Sequence, residues 1–202
     1  MTKTGPLHIA HRDAKMAGVI KKVGPCTLRP RRQRFHSLVR AIVGQQISTK
    51  AARAVFERLR VEAGGYITAE RIGRLRPHKL KTAGLSEQKT KYILTLSEQI
   101  LSRDFRFERL DELDDEAALA ALTTIHGVGR WTAEMFLMFV LNRSDILPMG
   151  DIGIQEGFRR VYNLAARPSE NKMLALSEPW QPYRTIGSWY LWRYLDAVPE
   201  DY

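Results

Sequence analysis

Apolar residues in this chain recur almost everywhere at helical spacing, and no run alternates convincingly with a period of two. That pattern predicts an all-α protein. Phe35, Leu38, Val39, Ile42 and Val43 stand at i, i+3, i+4, i+7 and i+8 and place one continuous apolar stripe on a helix that Gly44 ends. Ser48 caps a second helix through Val55, Phe56 and Leu59, closed by Gly64 and Gly65. Ser86 opens another, with Tyr92, Ile93, Leu96, Ile100 and Leu101 as its buried face, and Asp114 or Asp115 caps the next, which ends at the turn His126-Gly-Val-Gly129. A longer helix over 130–141 turns Ala133, Phe136, Leu137, Val140 and Leu141 inward. After Pro148 a helix from Ile152 to Tyr162 uses Ile154, Phe158 and Val161. The stretch from Pro179 to Tyr194 reads as a turn and then an aromatic-rich helix, with Trp180, Tyr190, Trp192 and Tyr194 assigned to core packing. The N-terminal segment, basic and punctuated by Gly5-Pro6, Gly24-Pro25 and Pro30, reads as an arm and a short helix.

At 202 residues the chain can bury a real core without disulfides or metals. Its formal net charge is +10, with Lys and Arg scattered along the chain, so a polyanionic partner is expected and nucleic acid is the default. No helix is basic on one face and strongly apolar on the other, and no apolar run approaches the ~20 residues that span a bilayer, so no membrane partner is expected. The single cysteine, Cys26, leaves no disulfide framework, cysteine-rich zinc site or four-cysteine iron–sulfur cluster. The N-terminus shows no apolar signal core, and a reducing compartment fits. The five histidines show no metal-ligand spacing.

The stretch from Leu122 to Ala133 carries the first chemical signal. A helix, a Gly-Val-Gly turn and a second helix bring backbone N–H groups to a tight bend beside a helix N-terminus, which suits a phosphate oxygen. Gly127 and Gly129 leave no Cβ in the way and accept a positive φ at little cost. Thr132 can donate its hydroxyl to the same phosphate, and Arg130 adds long-range attraction. A Gly-x-Gly between helices serves turn geometry equally well. With its flanks Leu122, Ile125, Val128 and Trp131-Thr132-Ala133, however, the stretch resembles the helix–hairpin–helix motif of the DNA glycosylase superfamily. The setting Leu147-Pro-x-x-Asp151-x-Gly-x-Gln155 resembles AlkA/Mag-like DNA-3-methyladenine glycosylases II.

The resemblance makes Asp151 the catalytic carboxylate, where its position alone would make it a helix cap. Cleaving a base from deoxyribose passes through an oxocarbenium-like sugar, which a nearby anion stabilises while it orients or deprotonates the attacking water. A purine alkylated at N3 or N7 already carries positive charge and leaves without an acid, so a single carboxylate suffices. Relatives that also cut the strand carry a lysine nucleophile two residues past the second hairpin glycine; here that place is Trp131, which implies a water-using enzyme with no lyase step. The family's hairpin commonly holds sodium or potassium on main-chain carbonyls, at positions matching Thr123, Ile125 and Val128. No other cofactor is implied.

An enzyme of this kind flips the nucleotide out of the duplex and stacks the base in an aromatic pocket. Trp131 and Trp189 are the candidate walls, Gln45 and Met135 further lining residues, Met135 standing where a relative has a tyrosine. The segment from Val43 to Ser48 resembles the family's intercalating loop, with Gln46 as the plug and Ile47 and Ser48 beside it on the DNA. The resemblance implies one glycosylase unit over 1–202. Its central helical lobe would span approximately 48–140, with the hairpin at 122–141, and its second lobe approximately 1–47 plus 141–202. The extra N-terminal α+β domain of longer AlkA proteins has no room. The expected activity is removal of 3-methyladenine, 7-methylguanine, ethenoadenine or hypoxanthine from double-stranded DNA by a monomer in the cytoplasm or nucleoid, or in a nucleus. The alternatives are a mismatch or oxidised-base glycosylase of the same superfamily, and a non-catalytic helix–hairpin–helix DNA-binding module, which has no need of Asp151.

Overall fold

The computed structural model describes residues 1–195. Within them the chain runs through α1 (Thr4–Arg12), α2 (Ala14–Val23), α3 (Arg34–Gly44), α4 (Thr49–Glu62), α5 (Ala69–Gly73), α6 (Pro77–Thr82), α7 (Glu87–Leu101), α8 (Asp115–Thr123), α9 (Arg130–Phe139), α10 (Ile152–Tyr162), α11 (Glu170–Ser177) and α12 (Arg184–Tyr194). Short 3₁₀ turns at Phe107–Asp111 and Glu178–Trp180 complete the order, and no strand occurs among the described residues. The protein is all-α, as the periodicity requires. None of these helices is long and apolar enough to cross a membrane.

Local chemistry sets most helix ends. Asp13, Ser48, Thr68, Ser86, Asp114, Asp151 and Ser169 each accept a backbone N–H from the first turn of the helix they precede, giving a partner to a donor that would otherwise lack one. Three helices close alike. Gly64, Gly84 and Asn163 take left-handed φ values of 71°, 104° and 54° after α4, α6 and α10. The next amide then reaches back five residues: Gly65 to Arg60 O at 2.8 Å, Leu85 to Leu80 O at 3.2 Å and Leu164 to Arg159 O at 2.9 Å.

Three local expectations are corrected. The N-terminal segment forms two helices, not an arm and one helix, because Asp13 leaves the helical conformation (φ −138°) and recaps the chain through the Lys15 and Met16 amides, both at 3.0 Å. Helix α9 stops at Phe139, short of Leu141; Asn142 turns left-handed (φ 57°) and the Arg143 amide closes onto Leu137 O at 2.9 Å. Leu101 is exposed, since the buried side of α7 is Thr90, Ile93, Leu96 and Ser97.

The chain forms two compact units, Arg31–Phe136 and residues 1–30 with 137–195, the boundary falling within α9. Residues 31–47 therefore belong with the central unit and not with the terminal lobe, because α3 packs on α4 and α7. The part of the second lobe expected beyond 195 lies outside the described residues.

In the central unit Leu38, Ile42, Leu59, Ile72, Leu80, Ile93 and Leu96 are buried. Arg34 ties the start of α3 to the first 3₁₀ turn, donating to Phe107 O at 2.7 Å and to both Asp111 carboxylate oxygens at 2.7 and 2.8 Å. In the other unit α12 packs on α10, α2 and α1. Its hub is Asp13, whose carboxylate also accepts the Trp180 indole N–H at 2.9 Å and the Tyr162 hydroxyl. Phe158 stacks on Trp180 with ring centroids 5.2 Å apart.

Asp13→Ala removes a cap and strands two donors, the buried Trp180 indole and the half-buried Tyr162 hydroxyl, and is expected to cost about 3 kcal/mol, read from urea denaturation. Burial, then the Asp13 hydrogen bond, raises the pKa of Tyr162, and burial pushes Tyr190 up to about 12. The folded state thus favours both phenols neutral: their stabilisation is complete below the ordinary tyrosine value of about 10 and is lost as pH rises through the folded values. Denaturation midpoints should fall above about pH 10, and Tyr162→Phe should reduce that dependence.

Candidate functional site

Helix α8, the turn after it and α9 form the predicted hairpin. Leu122, Ile125 and Val128 are buried and anchor it, and the Val128 amide closes the bend onto Ile125 O at 3.0 Å. Gly127 has φ 87°, and a Cβ there would lie 2.3 Å from the Tyr92 ring. Glycine is thus required twice, by backbone conformation and by clearance. Gly129 differs: its φ is not left-handed, and a Cβ would meet nothing within 4 Å. The protein itself does not demand glycine there, whereas a ligand approaching the exposed backbone would.

One hairpin side chain departs from expectation. Thr132 is only 4% exposed, on the inward face of α9 with Ala133 and Phe136, so its hydroxyl is not a surface donor. Arg130 is exposed and its Nε donates to Glu134 Oε1 at 2.9 Å.

The segment expected to enter DNA follows α3. Gln46 is exposed with a left-handed φ of 59°, and Ile47 is 41% exposed. Ser48 Oγ accepts the Ala51 amide at 3.3 Å, so this side chain serves as the cap of α4. Gln45 is not poised over open space. Its Nε2 donates to Gly127 O at 2.8 Å and its own carbonyl accepts Lys89 Nζ at 2.6 Å. Gln45, Gln46, Ser86, Gln88, Lys89, Tyr92 and residues 123–129 enclose a cleft of about 520 Å³. Thr123, Ile125 and Val128, the carbonyl-bearing positions, are among its lining.

In the other unit Asp151 sits at the N-terminus of α10, half-buried, after a turn closed by its amide on Pro148 O at 3.0 Å. Its Oδ1 accepts two donors, the Ile154 amide at 2.8 Å and the Trp192 indole N–H at 2.9 Å. A Cβ on Gly153 would lie 3.0 Å from that oxygen and 3.0 Å from Trp192, so the glycine clears room for the pair. Gln155 Nε2 donates to Met149 O at 2.9 Å and holds the preceding loop. The sequence pattern around Asp151 thus describes one geometric requirement: turn, cap, clearance and brace.

The aromatic candidates separate. Trp131 is 38% exposed on the first turn of α9. Met135 has no exposed surface and cannot line a pocket as it stands. Trp189 is buried, meeting Tyr190 edge-on at 4.9 Å, with the Arg193 guanidinium 5.6 Å from its ring. Trp192, assigned above to core packing, is buried against Phe139 and is the aromatic that touches Asp151. No local signal separates it from Trp189, one helical turn earlier. Within the central unit the structure gathers Gln45, Gln46 and the hairpin around one cleft; within the other it pairs Asp151 with Trp192.

The hairpin, with its exposed glycine, and a capped carboxylate some twenty residues further on define a helix–hairpin–helix DNA repair protein. Residues 39–182 match the HhH-GPD superfamily base excision DNA repair protein model, and the chain belongs to that family. DNA-3-methyladenine glycosylase 1 of Schizosaccharomyces pombe is 32% identical over 193 residues, 93% of this chain and 85% of that protein. A solved structure of a 3-methyladenine DNA glycosylase (Mag1) from the same organism, in complex with abasic DNA, superposes with a TM-score of 0.81 at 32% identity and covers 99% of each chain. A Bacillus halodurans DNA-3-methyladenine glycosidase gives 0.83 at 34% identity, covering 95% of this chain and 88% of that one.

Gly127→Ala is expected to cost about 3 kcal/mol, from strain at positive φ and the clash with Tyr92. Gly129→Ala should leave the denaturation midpoint within about 0.5 kcal/mol of the parent yet weaken duplex binding, measured by fluorescence anisotropy.

Proposed function

We propose that the protein is a monofunctional DNA glycosylase that excises the alkylated purines 3-methyladenine and 7-methylguanine, with ethenoadenine and the deaminated base hypoxanthine as further substrates, and leaves an abasic site. The observation that carries this reading is Asp151, whose carboxylate is oriented through one oxygen by the Ile154 amide and Trp192 in a chain of this repair family. The names of the relatives, and the abasic DNA bound to one of them, support the same chemistry.

Duplex DNA docks on the hairpin, whose exposed backbone at Gly129 and Arg130 meets a phosphate. The target nucleotide leaves the stack at a cost of a few kcal/mol, and Gln46 or Ile47 occupies the gap. Trp131, exposed on the first turn of α9, offers an indole face to a cationic base, whose charge favours it. Asp151 stabilises the oxocarbenium-like sugar and directs water to C1′. 3-Methyladenine and 7-methylguanine, cationic in the nucleotide, depart as neutral bases, whereas ethenoadenine and hypoxanthine are uncharged and take up a proton from solvent as they leave. Trp131 stands at the place of the lysine nucleophile in strand-cutting relatives, so no Schiff base forms.

The carbonyls of Thr123, Ile125 and Val128 are neutral oxygen donors, and their residues line one cleft with the Gly127 bend. They fit a sodium or potassium ion, which would add positive charge beside the bound phosphate. Double-stranded DNA is the partner, the protein acts as a monomer, and it works wherever the genome is housed.

Incubation with duplexes carrying each of the four bases should release the base and yield strand breaks only after alkali. Asp151→Asn should lower the single-turnover release rate by about a thousandfold while binding to abasic duplex is kept. Release at the parent rate by that variant would remove the catalytic assignment. A borohydride-trapped adduct on the parent protein would overturn the monofunctional one.

A further inference from the structure

We infer that Lys89 is a positioning residue for the flipping step, holding the loop that carries Gln46 and Ile47 in its DNA-entering conformation and coupling it to the hairpin. The inference rests on the glycosylase reading above.

Helix α3 ends at Gly44, and the carbonyls of its last turn lack intrahelical donors. The helix has no basic residue in that turn to answer them. Lys89, in the first turn of α7 and 44 residues along the chain from Gln45, supplies the charge: its Nζ donates to Val43 O at 2.8 Å and to Gln45 O at 2.6 Å. Burial lowers the Lys89 pKa, as fits an ammonium drawn partly out of water.

Beyond this clamp the chain enters an unfavourable conformation. Gln46 is left-handed at φ 59°, a strained conformation for a non-glycine residue, and its side chain is exposed. The Gln45 amide itself makes only a long bond to Ile42 O, 3.4 Å. The Lys89 clamp therefore fixes the residue immediately before the turn. Gln45 carries the restraint onward, because its side chain donates to Gly127 O at 2.8 Å while its carbonyl receives Lys89. One turn along α7, Tyr92 lies against Gly127, and Gln88 Nε2 donates to its hydroxyl at 2.6 Å. The first two turns of α7 thus brace both the plug loop and the phosphate-facing bend. A plug already ordered before the base leaves does not add its ordering entropy to the cost of flipping.

The test separates flipping from chemistry and from folding. Lys89→Met keeps the aliphatic stem and removes the donors; Lys89→Arg keeps charge and donors. Single-turnover base release is measured on two substrates: a fully paired duplex, and one with the lesion opposite an abasic gap, where extrusion is less costly. Lys89→Met is expected to be slowed about tenfold or more on the paired duplex and to lie within about threefold of the parent on the gapped one, with Lys89→Arg recovering most of the loss. Equal slowing on both substrates would assign Lys89 a general structural role, and no slowing on either would assign it none; both overturn the inference. Should Lys89→Met not purify folded by circular dichroism, Lys89→Gln carries the same comparison. If the parent releases no base from any alkylated duplex, the glycosylase reading fails first and this inference with it. If the parent is active and the two variants match it, only the role of Lys89 is lost.

Discussion

One oxygen of Asp151 accepts both the first-turn amide of α10 and the indole N–H of Trp192, and the arrangement around it depends on that pair of bonds. An ordinary N-cap aspartate needs only the amide. The second donor comes from α12, 41 residues on, so the carboxylate is oriented by two helices at once. The dipole of α10 favours a negative charge at this point. Gly153 must lack a side chain for the indole to reach, and Gln155 must hold Met149 so that the turn delivers Asp151 to its cap. A residue proposed for catalysis thus also holds a helix end.

The central unit solves a different problem, keeping two exposed backbone segments ordered without burying them. The hairpin bend relies on Gly127 against Tyr92, and the loop after α3 relies on Lys89 and Gln45. Tyr92 and Lys89 both lie in the first two turns of α7, and Gln45 joins the loop to the hairpin directly. The groups left exposed at Gln46, Ile47, Gly129 and Arg130 are surface features on a braced frame, which suits contact with a rigid duplex.

How much was legible follows from how far each determinant reaches along the chain. The starts of α4, α7, α8 and α10 were legible because the capping side chain and its amide partner are three residues apart. The break between α1 and α2 uses an equally local cap at Asp13, and only the further bonds of that carboxylate to Tyr162 and Trp180 lie beyond the reach of a short stretch. The cap at Asp151 and the bend at Gly127 were legible because both are local geometry. Thr132 and Met135 were misplaced because motif position says nothing of which face of α9 turns inward.

By itself the sequence determined what short-range physics controls: all-helical periodicity, the caps, the Gly-Val-Gly bend, the basic balance and the carboxylate after Pro148. Only the tertiary structure decided that Trp192 and not Trp189 meets Asp151, that Gln45 grips Gly127 across 82 residues instead of facing a base, and that residues 31–47 join the central unit. The physical reason is rotational. Successive residues of a helix point about 100° apart, so a small turn of the whole helix about its axis exchanges one side chain for another at a contact. That turn is set by the summed packing of the helix against its neighbours, which no short stretch of sequence contains.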